Sequence, residues 1–443
     1  MKTNLKTTIL FFMYRCVWRL ALGVARLWCL GRKPMRGSPH KIIRYLEERE
    51  IPQLVWRRPP LAYQRRIWFH AASGELEYIK PLLRLWKQRH PEDLLFLTYF
   101  STSARSMINS VPEIDGWAPL PVDLPGPCRR FVAALNPALL VISRTDLWPT
   151  ILATMADRPI ILVASTWSDG SKKTQGFGRW MSAWCLPYLN KICVVSEADQ
   201  QCLHQFGRES GISITGDPRF DQVEFRLKQR RALPETLKHW TQNIELDSPL
   251  FTCVAGSTWP EDEMVLIEAW KKAQFPNARL LLVPHETNVD HIEALRKLFE
   301  AHHLTFSVWS EVKNQREIHS PVLIFDQKGW LAELYQLGQL AFVGGSFKKQ
   351  VHSVMEPLGC GVPVVLGPYF KNNREAMEFA TLSHQETFFV EIVTNSESLT
   401  QVLKKHCTMP PASFKQVHSA LIQTFQERCH ATEKTYKEIQ QCL

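Results

Sequence analysis

The run His70–Glu77 reads HAASGELE: an apolar strand over Ile67–Ala72 gives way through small residues to a helix with Glu75 near its start. A second apolar run, in the carboxyl half, ends in FVGGSF, Phe342–Phe347, and continues into VHSVMEPLGCGVPVVLGPYF, Val351–Phe370. In parallel α/β sheets ligands bind beyond the carboxyl ends of the strands, so two such endings in one chain predict two α/β domains sharing an interdomain cleft. The first supplies a carboxylate and the second a glycine-floored turn suited to a phosphate.

Outward from these motifs, short apolar runs alternate with amphipathic stretches, the pattern of a parallel sheet covered on both faces. The predicted strands are Ile67–Ala72, Leu94–Tyr99, Ala138–Ser143, Ile160–Ser165 and Ile192–Ser196, then Phe251–Ala255, Arg279–Val283, Val322–Phe325, Leu340–Val343 and Val362–Leu366. Between the two series, Glu224–Ser248 carries charges and Pro234 but no strand signal, and reads as a connection. The expected division is a helix over 1–35, a first α/β domain over 36–225, a linker over 226–248 and a second α/β domain over 249–443 closed by terminal helices.

The 443 residues exceed what one core usually supports. Eleven cysteines lie scattered without CxxC pairs or zinc-like spacing, which speaks against a disulfide framework and a structural metal. A formal charge of +10 implies an anionic partner, and in the absence of nucleic-acid motifs a membrane surface or a phosphorylated ligand is the better fit. Within the mostly apolar stretch Ile9–Leu30, Arg15, Arg19 and Arg26 fall within about 40° of one another on a helix. The uncharged runs there are shorter than the roughly 18–20 residues that cross a bilayer. With Tyr14, Trp18 and Trp28 at headgroup depth and the basic run Arg32, Lys33, Arg36 and Lys41 following, a helix lying on an anionic membrane is predicted. A shallowly inserted anchor and an ordinary packed helix are the alternatives.

Each motif admits a chemical and a structural reading. Glu75 is placed to take a proton from a sugar hydroxyl, or merely to complement the dipole of the helix it opens. Gly344, Gly345 and Ser346, with Lys348 and Lys349 beyond, suit a phosphate or any tight turn. Glu356 lies one helical turn past His352, so both can face one ligand, the carboxylate on ribose hydroxyls; otherwise Glu356 is a surface residue and His352 a cap. In GSTWPEDE, Gly256–Glu263, Ser257 and Thr258 hold a phosphate oxygen or cap the helix that Pro260 opens. His285, in VPHE, meets a base or phosphate or is a turn residue, and Asn372 and Glu375 are further ligand contacts.

Taken together, HAASGELE, TGDPRFD at Thr215–Asp221, GSTWPEDE, VPHE, FVGGSF, HSVMEP and the cationic amino terminus resemble the transferases of 3-deoxy-D-manno-octulosonic acid (Kdo) in lipopolysaccharide synthesis. The resemblance spans nearly the whole chain. It implies a GT-B fold, cytidine monophosphate-Kdo (CMP-Kdo) as donor, a lipid A precursor (lipid IVA) as acceptor at the cytoplasmic face of the inner membrane, and inverting transfer without a cofactor or a required metal. Glu75 falls at the catalytic base, Ser73, Gly74 and Arg219 on the acceptor side, and Ser257, Thr258, His285, Gly344, Gly345, Ser346, His352, Glu356, Asn372 and Glu375 in donor-side motifs. The chain departs from that pattern in three places: the turn before Glu75 is one residue short, the METELWP segment reads SRTDLWP with Arg144 in place of an acid, and HNxLEP reads HSVMEP. The rivals are a GT-B enzyme using another nucleotide sugar and a non-catalytic lipid- or nucleotide-binding paralogue.

Overall fold

The computed structural model describes residues 11–20, 23–24, 48–49, 53–101, 107–168, 170–171, 173–243, 248–275 and 277–443. Contacts divide the chain into two units, 1–222 with 429–443, and 223–428.

The first unit is built on an eight-stranded sheet: β1 (Val55–Trp56), β2 (Arg66–His70), β3 (Leu94–Tyr99), β4 (Gly116–Pro119), β5 (Leu139–Ser143), β6 (Ile160–Ser165), β7 (Lys191–Val194) and β8 (Ile212–Ile214). Their order is β1-β4-β3-β2-β5-β6-β7-β8, parallel except where β1 meets β4. Successive residues of β2 enter different cores, Trp68 joining Phe96, Phe131 and Ile142 on one face while Ile67 and Phe69 join Trp86, Leu97 and Val141 on the other. That is why the strands read as unbroken apolar runs.

The second unit carries a seven-stranded parallel sheet of β9 (Phe251–Thr258), β10 (Ala278–Pro284), β11 (Phe306–Val308), β12 (Val322–Ile324), β13 (Leu340–Val343), β14 (Val364–Leu366) and β15 (Val390–Ile392), ordered β11-β12-β10-β9-β13-β14-β15. All ten predicted strands are present. The short strands β1, β4, β8, β11 and β15 lie outside the expectation, because two to four residues carry too little periodicity to register.

Two expected boundaries move. The segment 226–248 is not a bare linker: a helix over Pro218–Lys228 runs into it, a second spans Glu235–Trp240, and Gln242–Asn243 pairs with Ser248–Pro249. Nor do the terminal helices both close the second domain. The Pro411–Gln426 helix packs on the Met355–Gly359 helix, but the Ala431–Gln440 helix packs on the Leu76–Arg89 helix and β7 of the first unit. Tyr436 and Ile439 enter the first unit's core, Arg89 pairs with Glu433 at 2.8 Å, and the Asp221 carboxylate accepts the Thr432 N–H and hydroxyl at 2.7 Å each. Periodicity shows that a helix has an apolar stripe, but not which sheet the stripe covers.

Of the predicted membrane helix, residues 11–20 and 23–24 are described and helical, whereas Arg26, Trp28 and the basic run Arg32–Lys41 lie outside the described residues. Tyr14 and Trp18, expected at headgroup depth, turn toward the first unit. The Tyr14 ring meets Trp184 at 5.6 Å, its hydroxyl donates to Asp123 at 2.9 Å, and Trp18 lies 6.0 Å from Trp148. Phe12, Met13, Val17 and Leu20 are exposed. Among the described residues no helix is long and apolar enough to cross a membrane.

Candidate active site

In the first unit the candidate site lies at the carboxyl ends of β2, β5 and β6. β2 ends at His70, buried, with Nδ1 against the carbonyl and hydroxyl of Thr98 at 3.1 and 2.9 Å and Nε2 on Asp146 at 2.8 Å. Burial pushes the Asp146 carboxyl up, but the His70 hydrogen bond and charge outweigh it and hold the group below the usual range. The turn Ala71–Gly74 then delivers Glu75 to the N-cap of the Leu76–Arg89 helix. The amides of the first turn are already used: the N–H groups of Leu76, Glu77 and Tyr78 donate to the carbonyls of Ser73, Gly74 and Glu75. A Cβ placed on Gly74 would meet no atom within 4 Å, so there is room in front of the turn.

The Glu75 side chain is half-buried and does not cap its own helix; Oε2 accepts a long 3.3 Å bond from the Ala72 N–H. Burial raises its carboxyl above the ordinary value and Asp146 adds to the rise, against the Ala72 N–H, His70 and Arg144. Arg144, directly after β5, has φ +61°, a conformation that costs a non-glycine residue energy. Its guanidinium donates to the Tyr78 hydroxyl at 2.6 Å and to Thr166 Oγ1 at 3.2 Å. Lys173 donates to the Thr166 carbonyl at 2.8 Å, and burial followed by Arg144 lowers its ammonium to about 8. Arg219 lies over the same Tyr78 ring, 4.4 Å from its centre, and grips Asp217 at 2.6 Å. A carboxylate inclined to keep its proton thus sits among cations, an arrangement suited to proton abstraction beside an anionic substrate.

In the second unit β9 and β13 end side by side. Gly344 is glycine because a Cβ there would lie 2.2 Å from the Ser257 carbonyl oxygen, and Gly345 has φ +85° with Gln350 O in the Cβ position. The cradle these glycines form is not open to a phosphate as expected. Asp262, fully buried on the Pro260–Ala273 helix, accepts the Gly345 N–H at 2.6 Å and the Trp259 N–H at 3.0 Å through Oδ2, and the Phe347 N–H at 3.0 Å through Oδ1. Ser346 is also fully buried, its hydroxyl donating to Val343 O and accepting from the Gly367 N–H. Thr258 donates to Glu263 at 2.9 Å, and Glu263 also holds His291 at 3.0 Å. A buried internal carboxylate therefore takes the place assigned to a ligand oxygen at Gly345, and another does so at Thr258.

What the second unit does bring together is an aromatic stack. His285 stacks on both Trp259 and His352, with ring centres 4.5 and 4.6 Å away, while those two rings are nearly parallel with centres 6.4 Å apart, and Lys348 Nζ sits 3.6 Å from the centre of the Trp259 ring. Trp259 Nε1–H donates to His352 Nε2 at 2.9 Å; burial and then His285 hold the His352 imidazolium below its ordinary value. His352 lies in the loop before the Met355–Gly359 helix, so it and Glu356 do not share a helix face as expected. Glu356 is held by Arg226 at 3.0 Å. Asn372 is exposed and Glu375 buried; the neighbouring Asn373 caps the Arg374–Phe379 helix and donates to the His352 carbonyl at 3.1 Å. Ser257, at φ +55°, turns the chain out of β9. Tyr78, Asp146, Lys173, Trp259, Asp262 and Asn373 were not singled out in the sequence. Asp262 had a signal, an acid three residues after a helix-opening Trp-Pro, whereas Lys173 lies in a polar loop and had none.

Residues 44–222 match the family model described as 3-deoxy-D-manno-octulosonic-acid transferase (kdotransferase). A 3-deoxy-D-manno-octulosonic acid transferase of Chlamydia trachomatis is 28% identical over 345 residues, covering 74% of this chain and 77% of that protein. Over most of its length the chain is similar to Kdo transferases. A Kdo transferase of Aquifex aeolicus is 27% identical, covering 76% of this chain and 84% of its own. The structure of UDP-GlcNAc 2-epimerase from Neisseria meningitidis superposes with a TM-score of 0.59 at 11% identity, over 85% of this chain and all of that one, which is a likeness of fold. The fold class is GT-B, as the resemblance implied, and the chain is a glycosyltransferase.

Proposed function

We propose that this protein is a Kdo transferase of lipopolysaccharide synthesis that moves Kdo from CMP-Kdo to a lipid A precursor, lipid IVA, with inversion and no required metal. The observation that carries the reading is Glu75: a half-buried carboxylate at the end of β2, its proton affinity raised by burial and its surroundings cationic. In the proposed step Glu75 takes the proton of an acceptor hydroxyl while that oxygen bonds to the anomeric carbon of Kdo, and the bond from that carbon to the phosphate oxygen breaks with its electron pair. CMP leaves as the anion. On the acceptor side Ser73 and Gly74 border the base, and Arg219 lies over Tyr78.

Donor recognition is assigned to the second unit, with Glu356 on the ribose hydroxyls and His285, His352 and Lys348 toward base and phosphate. Gly344, Gly345, Ser346 and Thr258 then shape the wall instead of donating to the ligand. Residues 1–35, with their arginines and exposed apolar side chains, are proposed to hold the enzyme at an anionic membrane, the cytoplasmic face of the inner membrane.

The test is mass analysis of lipid IVA after incubation with CMP-Kdo, with Glu75→Gln in parallel. Kdo-bearing lipid made by the natural protein and not by the variant supports the reading, and a product anomer opposite to the donor's establishes inversion. Nucleotide release from a uridine donor instead, or full turnover by Glu75→Gln, would overturn it.

A further inference from the structure

Buried cations are ordinarily paired with carboxylates, because charge removed from water needs a partner. Arg219 obeys the rule through Asp217. Arg144 and Lys173 do not. Both are half-buried, they share Thr166, one through its hydroxyl and the other through its carbonyl, and the remaining hydrogen bond of Arg144 goes to the Tyr78 hydroxyl. Among the described residues neither forms an ion pair with a carboxylate. Asp199 acts on Lys173 through space, but its oxygens are committed to the N–H and hydroxyl of Ser196 and the N–H of Trp167. Glu75 acts on both cations, again without an ion pair, and its own proton affinity is raised. The backbone at Arg144 lies in the left-handed region, and such strain persists where the surrounding structure enforces it.

We propose that Arg144 and Lys173, with Arg219 on the same tyrosine, form a binding site for an oxyanion, a phosphate monoester or a carboxylate, carried by the acceptor next to the hydroxyl that reacts. A planar guanidinium supplies paired donors to such a group and the ammonium a point charge. The bound anion relieves the repulsion between the two cations and fixes the acceptor relative to Glu75. The site rests on the proposed function for the identity of its ligand, not for its existence. It also gives a use to the replacement of an acid by Arg144 in the SRTDLWP segment.

The experiment follows Lys173 itself. Lysines of the full chain are reductively 13C-methylated, the Lys173 signal is assigned as the one missing from Lys173→Arg, and it is titrated with inorganic phosphate, with acetate, or with chloride at matched ionic strength. The charged and titrating groups around it are Arg144, Glu75, Asp199 and Cys202. In chloride Lys173 is expected to titrate below the ordinary lysine value of 10.5. Saturating phosphate raises its midpoint by about one unit or more, as an opposite charge in contact does. Arg144→Ala raises the midpoint in chloride, because the repulsion is gone, and weakens phosphate about 10- to 100-fold, as loss of a charged hydrogen bond does. Arg144→Lys retains part of the affinity and controls for folding. A response to acetate and not to phosphate assigns the site to a carboxylate; a midpoint unmoved by either overturns it. Glu75→Gln separates the two claims: phosphate binding that survives in an inactive variant supports both, and phosphate binding with full turnover refutes the base alone.

Discussion

Replacing Asp262 by alanine tests whether the GGS turn is held from inside. The carboxylate accepts three backbone N–H groups, from Trp259, Gly345 and Phe347, at 3.0, 2.6 and 3.0 Å, and is fully buried. Leaving a buried donor unmet costs about 1–3 kcal/mol, which gives roughly 3–9 kcal/mol for three if none recovers a partner. Two effects reduce that figure: the alanine form no longer buries a charge, whose cost shows in the raised proton affinity of Asp262, and water can reach some of the N–H groups. A net loss of about 3 kcal/mol is expected. For a unit of this size each kcal/mol is worth about 2–4 °C, so the melting temperature of the second unit should fall by about 6–12 °C. Because two units need not unfold together, the melt is paired with amide exchange of peptides covering Gly344–Phe347, which should lose protection selectively. Unchanged exchange there, with a stability loss no larger than the roughly 0.5 kcal/mol of an ordinary surface change, would refute the argument.

Four further outcomes are expected. Glu75→Gln should lower turnover at least about 100-fold with donor binding retained, and the natural enzyme should lose rate on acidification through a midpoint above 4.5, a limb the variant lacks. The stability effect of Glu75 has the opposite sign: the folded state holds the proton more tightly than the unfolded chain, so stability rises as pH falls from the folded midpoint toward 4.5, as a chemical melt series against pH would show. Gly344→Ala should destabilise by about 1–3 kcal/mol, because the new Cβ meets backbone that cannot move aside, while Gly74→Ala, with open space around it, should stay within about 0.5 kcal/mol in the same thermal melts. His285→Gln removes the neighbouring imidazole that, after burial, lowers the His352 imidazolium, so the His352 midpoint should rise toward 6.5 in imidazole NMR titration, and no rise would discount that contribution.

The sheets could be read from the chain because both faces of each are covered. A strand such as Leu94–Tyr99 is buried along its whole length and so reads as one apolar run. Val390–Ile392 and Phe306–Val308 lie at the two edges of the second sheet, three residues each and partly exposed, and carry no such run. The Ala431–Gln440 helix was recognisable as a helix, but its destination depends on Asp221 gripping Thr432 and on Tyr436 meeting Trp86, contacts far apart in sequence. Glu75 was locatable because a small-residue turn from strand to helix is a local pattern. The cations around it come from three separate strand ends and loops, which no local pattern relates.

The glycines of the second unit show why a motif underdetermines its chemistry. A strand ending in Gly-Gly reads the same whether a phosphate approaches the backbone or a neighbouring strand does, since both require that no Cβ be present. At Gly344 the neighbour is the Ser257 backbone, and at Gly345 the waiting N–H is met by Asp262 from another helix. The two sites therefore treat charge in opposite ways: at the strand ends of the second unit the buried carboxylate has its donors in place, while among the described residues around Glu75 Arg144 and Lys173 stand together with no carboxylate in contact. A site that satisfies itself needs no ligand to be stable. The one that leaves two cations side by side is where a substrate anion contributes most, which is why the charge balance around Glu75 says more about the acceptor than the glycine motif says about the donor.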